Sequence, residues 1–214
     1  MKKPLFLSAL GLSLLAAGCA NLQHSRNVAD PAVPAKVLAE QVCSTCHGLD
    51  GNPVSPAFPR LAAQTPAYLT SQLNNFRGHG RSDPAGSEYM WGLSSHLTDE
   101  QIAGFAAYYA AQEAHRDPGA GKDAALLARG KDVFEKGVPE QNVMACATCH
   151  GPKAAGNDVF PRLAYQHADY IVKQLSVFQN THGGRPGTPM AAIVFPLPED
   201  AKEAVAAYLE AMPD

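Results

Sequence analysis

One pattern, Cys-x-x-Cys-His, occurs twice, as Cys43-Ser44-Thr45-Cys46-His47 and as Cys146-Ala147-Thr148-Cys149-His150. The second copy follows the first at an offset of 103, and it anchors a longer repetition. Phe58-Pro59-Arg60-Leu61-Ala62 returns as Phe160-Pro161-Arg162-Leu163-Ala164. Gln64, Tyr68, Gln72, Leu73 and Phe76 return as Gln166, Tyr170, Gln174, Leu175 and Phe178. Met90, Leu97 and Tyr108 return as Met190, Leu197 and Tyr208, while the offset drifts only to 102 and then to 100. Matches in this order mean a tandem duplication of about 80–90 residues per copy, so the 214 residues hold two small domains rather than one large one. The boundaries expected are 36–116 for the first domain, 117–121 for a linker (Asp117-Pro118-Gly119-Ala120-Gly121) and 122–214 for the second.

Each copy reads as helices joined by loops. A short helix leads into the first motif, and Ala124–Lys136 is its counterpart in the second copy. Thr65-Pro66 has the form of an N-cap followed by proline at the first helical position, which opens a helix to about Phe76. Thr98-Asp99-Glu100-Gln101 is a capping box, and Ile102, Phe105 and Tyr109 then share one apolar face. Pro198 opens the equivalent helix, whose apolar members are Val205, Tyr208, Leu209 and Met212. No run alternates with period two, so the expected class is all-α. Domains this small have little core of their own and usually need a staple, such as a large apolar group held inside.

Charge and composition exclude other classes. The hydrophobic fraction of 46% rules out wholesale disorder. Seventeen basic against 20 acidic side chains argue against a nucleic-acid binder, and the halves are balanced alike. Five cysteines are present, four of them in the two motifs, and Cys19 stands alone. Lys2 and Lys3 precede a short apolar run from Leu5 to Ala17, too short to span a bilayer, which takes about 20 residues. The run ends in Leu15-Ala16-Ala17-Gly18-Cys19, which resembles a bacterial lipobox. Residues 1–18 then form a signal peptide, Cys19 is lipidated, and loss of Lys2 and Lys3 takes the formal charge from -3 to -5. A plain secretory signal cleaved nearby is the alternative. Residues 19–35, with two prolines and no sustained apolar period, read as a lipid-anchored flexible tether.

Cys-x-x-Cys-His is the attachment signature of c-type heme. Cysteines three apart in a helical turn project from one face, so both thiols can add to the two vinyl groups of one porphyrin. The next residue, His47 or His150, then reaches the iron as proximal ligand. A zinc site would need two further ligands per motif, and a redox dithiol an alternating strand–helix context. The candidate distal ligands follow by elimination among five methionines. Met1 leaves with the signal, Met144 adjoins the attachment side and Met212 lies near the C-terminus. Met90 and Met190 remain, one per copy, each in an expected loop seven residues before a leucine. Core filling is their bland alternative, and His79, His96 and His182 are rival ligands. Histidine/methionine pairs are typical of electron-transfer cytochromes c.

On these motifs the chain resembles the tandem diheme class I cytochromes c, specifically the cytochrome c4 type, over nearly all of residues 36–212. The resemblance implies two small helical domains about a pseudo-twofold axis, two covalently attached hemes, and a carrier of single electrons in the periplasm. It implies redox partners such as a quinol-oxidising complex and a terminal oxidase or reductase. It further implies that carbonyls at Pro59 and Pro161 accept the histidine Nδ1 proton, unless these are simple turn prolines. Arg60, Arg81, Arg162 and Arg185 are candidates to pair with propionates, each more readily read as solvated surface. Trp91 is expected to pack near the first heme edge. Two other functions stay open: a fixed subunit through which electrons enter a membrane complex, and a diheme enzyme such as a peroxidase or thiosulfate-oxidising cytochrome.

Overall fold

The structure, a computed structural model, describes residues 24–84, 86–116, 123–180, 185 and 188–213. Cys19, His182 and the linker 117–121 lie outside the described residues. Among the described residues every regular element is helical, and the only β pairings are two isolated bridges, Val138–Val143 and Asn157–Phe160.

In the first domain α1 (Ala35–Leu38) runs through a π-helical turn (Ala39–Cys43) into α2 (Ser44–His47). Then come α3 (Pro66–Arg77), α4 (Ser87–Ser94) and α5 (Asp99–Ala110). The second domain has α6 (Ala124–Lys136), a 3₁₀ turn (Pro139–Gln141), α7 (Ala147–His150), α8 (Ala168–Gln179), α9 (Met190–Val194) and α10 (Glu199–Ala211). The expected caps form: the Thr65 hydroxyl accepts from the Tyr68 N–H, and Thr98 and Gln101 make both bonds of a capping box.

In each domain the first helix packs on the last, α1 on α5 and α6 on α10. Glycine permits each close approach, from opposite partners. A Cβ on Gly104 of α5 would lie 2.5 Å from the Ala35 methyl, and one on Gly130 of α6 would lie 2.0 Å from the Ala204 carbonyl oxygen. Two separate apolar clusters result. One is built around Leu38, Ile102, Phe105 and Tyr109, the other around Phe134, Leu197, Val205 and Leu209.

Three expectations are corrected. The described part of the expected tether, residues 24–34, is docked on the first domain rather than extended away from it. Val33 is buried, and the Gln101 amide donates to the Asp30 and Val33 carbonyls, both at 3.0 Å. Two backbone carbonyls, which carry no sequence signal, share that contact with the Val33 and Val28 side chains, two isolated valines too few to form an apolar period. Met90 sits within α4 and Met190 begins α9, so neither lies in the loop expected. Arg81 is buried rather than solvated, for the reason given below.

The domains face each other through reciprocal contacts, the mark of a pseudo-twofold arrangement. Arg81 donates to the Tyr170 hydroxyl at 3.1 Å, and Arg185 donates to the Tyr68 hydroxyl at 2.9 Å. The Gln72 amide oxygen accepts from Arg81 and Arg185, as does that of Gln174. Asp83 breaks the symmetry. It binds Arg81 at 2.5 and 3.1 Å and accepts from Gln174 at 3.2 Å. Burial alone would push the Asp83 carboxyl up; the Arg81 guanidinium outweighs this and holds it below its ordinary value. Pairing of this kind lets Arg81 stay charged while buried.

Candidate functional site

The two motifs have the same local geometry. Cys43 and Cys146 both have φ -64° and ψ -34°, and each four-residue turn that follows ends at a glycine with positive φ, Gly48 at 77° and Gly151 at 78°. A side chain is disfavoured at that angle, so glycine lets the chain leave directly after the histidine. In the first motif the π-helical turn ends at Cys43, a distortion that frequently marks functional positions.

His47 and His150 are buried, and each ring is fixed by its Nδ1. That atom lies 3.0 Å from the Pro59 carbonyl oxygen in the first domain and 2.8 Å from the Pro161 carbonyl oxygen in the second. A carbonyl only accepts, so Nδ1 carries the proton and Nε2 presents a lone pair. Burial pushes both imidazoles toward the neutral form, against the opposing pull of the same carbonyls. Two metal-competent donors are therefore held ready, one per domain. The edge-on rings of Phe58 and Phe160 stand 6.2 and 6.4 Å from the two imidazoles.

Burial pushes the Cys43 and Cys146 thiols up to about 11, opposite to the lowered value of a reactive dithiol. Among the described residues no three His, Cys, Asp or Glu side chains gather to form a zinc site. Met190 and Cys146 pack against one apolar cluster, and Cys43 packs against the other. Of the rival ligands, His79 is exposed and stacks on Trp91 at 4.5 Å, and His96 is exposed. Trp91 therefore packs on a histidine, a partner the sequence did not suggest.

The residues fit a large apolar group bearing carboxylates. Leu49, Phe58, Tyr89, Trp91, Leu93 and Phe160 flank the motifs and the methionine helix and are exposed, apolar surface that a porphyrin could cover. Among the described residues the Nε of Arg162 is buried with no hydrogen-bond partner, and its guanidinium lies 5.0 Å from the Tyr165 ring. Burial lowers the pKa of this cation. An anionic substituent would satisfy it.

Sequence reasoning passed over Asp83 and the buried His167–Glu210 pair. His167 Nδ1 lies 3.3 Å from the Glu210 carboxylate, and Nε2 reaches the Pro53 carbonyl of the other domain at 2.9 Å. Neither has a repeat partner to signal it: where Arg81 is followed two residues on by Asp83, Arg185 is followed by Gly187.

The comparisons with known proteins agree with this geometry. Residues 32–111 match the family described as cytochrome c, and residues 125–209 match that described as cytochrome c oxidase, cbb3-type, subunit III. The chain is 36% identical to cytochrome c-552 of Acidithiobacillus ferridurans, over 97% of this chain and 86% of that protein. It is 36% identical to cytochrome c4 of Thiocapsa roseopersicina, over 86% and 94% respectively. A thiosulfate dehydrogenase electron acceptor of Stutzerimonas stutzeri is 35% identical, over 79% of this chain and 78% of its own. Among solved structures, cytochrome c4 of Acidithiobacillus ferrooxidans superposes with a TM-score of 0.72 at 36% identity, covering 79% of this chain and 98% of that one.

Proposed function

The chain belongs to the cytochrome c4 family of diheme electron-transfer cytochromes, and on that premise we propose that it carries single electrons between respiratory partners in the periplasm, with a His/Met pair at each iron. Two covalently attached c-type hemes come with that membership. Cys43 and Cys46 would hold the first porphyrin, with His47 and Met90 as donors to its iron. Cys146 and Cys149 would hold the second, with His150 and Met190. The bound iron supplies a one-electron couple. The observation that carries the reading is the duplicated, buried histidine with Nδ1 committed to a proline carbonyl and Nε2 left as a neutral donor.

Each side chain then has a task. The proline carbonyls fix the tautomer and raise the basicity of the histidine donor. The methionine thioethers are soft, neutral ligands that favour ferrous iron and raise the potential. With His47 and Met90 holding one iron and His150 and Met190 the other, neither site would leave room for peroxide or a sulfur substrate, and the protein would pass electrons without transforming a substrate. Cys19 supplies a lipid anchor, and among the described residues no helix is long and apolar enough to cross a membrane. Redox proteins are the partners, a quinol-oxidising complex on the donor side and a terminal oxidase or reductase on the acceptor side. The relatives named thiosulfate dehydrogenase electron acceptor favour a second reading, a subunit fixed to a sulfur-oxidising enzyme.

Replacing Met90 or Met190 by histidine tests the ligand assignment. Each variant lowers the potential of one heme and leaves the other nearly unchanged in a redox titration with optical detection. A variant whose two potentials match those of the unaltered protein overturns the assignment at that position. Purification without crosslinking separates the carrier from the fixed subunit, since a subunit keeps a stoichiometric partner.

A further inference from the structure

Two glutamines of the repeat have no place in the account so far. Gln64 and Gln166 are buried, and each reaches across the domain boundary to both the backbone N–H and the backbone carbonyl of one arginine. The Gln64 amide oxygen accepts from the Arg162 N–H at 2.7 Å, and its nitrogen donates to the Arg162 carbonyl at 3.0 Å. Gln166 does the same to Arg60, at 2.8 and 3.0 Å. Each amide oxygen also accepts the N–H of its own successor, Thr65 at 3.0 Å or His167 at 3.1 Å. These contacts settle the amide orientation, because a flipped amide would set its NH₂ against two N–H donors.

The Arg162 N–H and the Pro161 carbonyl are two ends of one planar peptide unit. That carbonyl is the one 2.8 Å from His150 Nδ1. An unbroken chain therefore runs from Gln64 of the first domain, through the Pro161–Arg162 peptide, to the proximal histidine of the second. Its mirror runs from Gln166 through the Pro59–Arg60 peptide to His47. Hydrogen bonds in series polarise one another, by roughly 10–30% per bond. A bond to the N–H end strengthens the carbonyl as acceptor, and planarity transmits its orientation.

We propose that Gln64 and Gln166 are crossed positioning residues, each setting the orientation and basicity of the proximal histidine in the other domain. The proposal rests on His47 and His150 being the iron ligands. Loss of Gln64 weakens the Pro161 carbonyl as an acceptor and makes His150 a poorer donor. Ferric iron is then less stabilised, and the potential of the second-domain heme rises while that of the first stays put. Loss of Gln166 does the reverse. A glutamine that merely glued the domains together would lower stability without this crossing.

The test uses full-length, heme-loaded Gln64→Met and Gln166→Met, which keep volume and charge. Each heme potential is read by redox titration followed with NMR signals assigned to each domain. The expected result is a positive shift confined to the second-domain heme in Gln64→Met and to the first-domain heme in Gln166→Met. Shifts in the same-domain heme, equal shifts in both, or none overturn the proposal. If a methionine variant does not fold, Gln64→Asn or Gln166→Asn is titrated in its place with the same crossed shift expected, and amide exchange in the unaltered protein tests the clamp itself. The Arg60 and Arg162 N–H groups, though outside any helix, exchange slowly if the clamp holds, and exchange at open-loop rates refutes it. Heme count and ligand spectrum of the unaltered protein test the ligand reading separately.

Discussion

Replacing Gly130 by alanine probes the helix crossing that shapes the second domain. An ideal Cβ there lies 2.0 Å from the Ala204 carbonyl oxygen, 2.6 Å from the Ala204 carbonyl carbon and 2.6 Å from the Tyr208 Cβ. A comfortable C···O approach is about 3.3–3.6 Å, so α6 and α10 must part by more than about 1 Å. The obstacle is backbone, which has no rotamer to change. Overpacking of this kind costs about 1–3 kcal/mol, and the rigid neighbour places it near 3. Alanine returns about 1 kcal/mol through helix propensity, leaving a net loss of about 2 kcal/mol. For a domain of this size that lowers the melting temperature by about 8–16 °C. Because two domains need not melt together, native-state hydrogen exchange in α6 and α10, compared with α1 and α5, is the appropriate assay. Gly104→Ala in the first domain meets only the Ala35 methyl at 2.5 Å, so adding Ala35→Gly restores most of its loss. Unchanged or slower exchange of α6 and α10 in Gly130→Ala would refute the reasoning.

Three further outcomes are expected. Asp83→Asn breaks a buried pair and costs on the order of 3 kcal/mol in stability measured at neutral pH. Since the folded carboxyl sits below its ordinary value, its contribution is present above about pH 4 and is lost as pH falls through the folded value; acid titration of stability should be flatter in the variant, and an identical acid limb speaks against the assignment. Cys19→Ser releases a folded, heme-loaded protein into the soluble periplasmic fraction, whereas retention in the membrane fraction places the anchor elsewhere. Acid–acetone extraction leaves two hemes on the polypeptide by mass, and one heme, or free thiols at Cys43, Cys46, Cys146 or Cys149, contradicts that.

Much of the fold was legible because duplication writes each signal twice. Thr65-Pro66, the capping box at Thr98 and the span Ala124–Lys136 needed only local rules, and each helix formed where those rules placed it. What escaped was pairing across distance. Taken singly, Arg81 reads as surface. It is buried because Asp83 neutralises it and Tyr170 and Gln174 of the other domain complete its shell. Residues 24–34 look unstructured because they dock through two backbone carbonyls and two isolated valines, Val28 and Val33, which form no apolar period. The tandem glutamines were visible as repeated letters, yet their crossing over to the opposite domain is a property of the interface alone.

The central claim is that both irons are held by one histidine and one methionine. The optical spectrum of the fully oxidised protein, at its red edge, tests it most directly. The account requires the absorption diagnostic of methionine–iron bonding with intensity for two such sites, lost by half in either Met90→His or Met190→His. A high-spin site in the unaltered protein, or intensity for one methionine bond with the other iron bound by His79, His96 or His182, would contradict it.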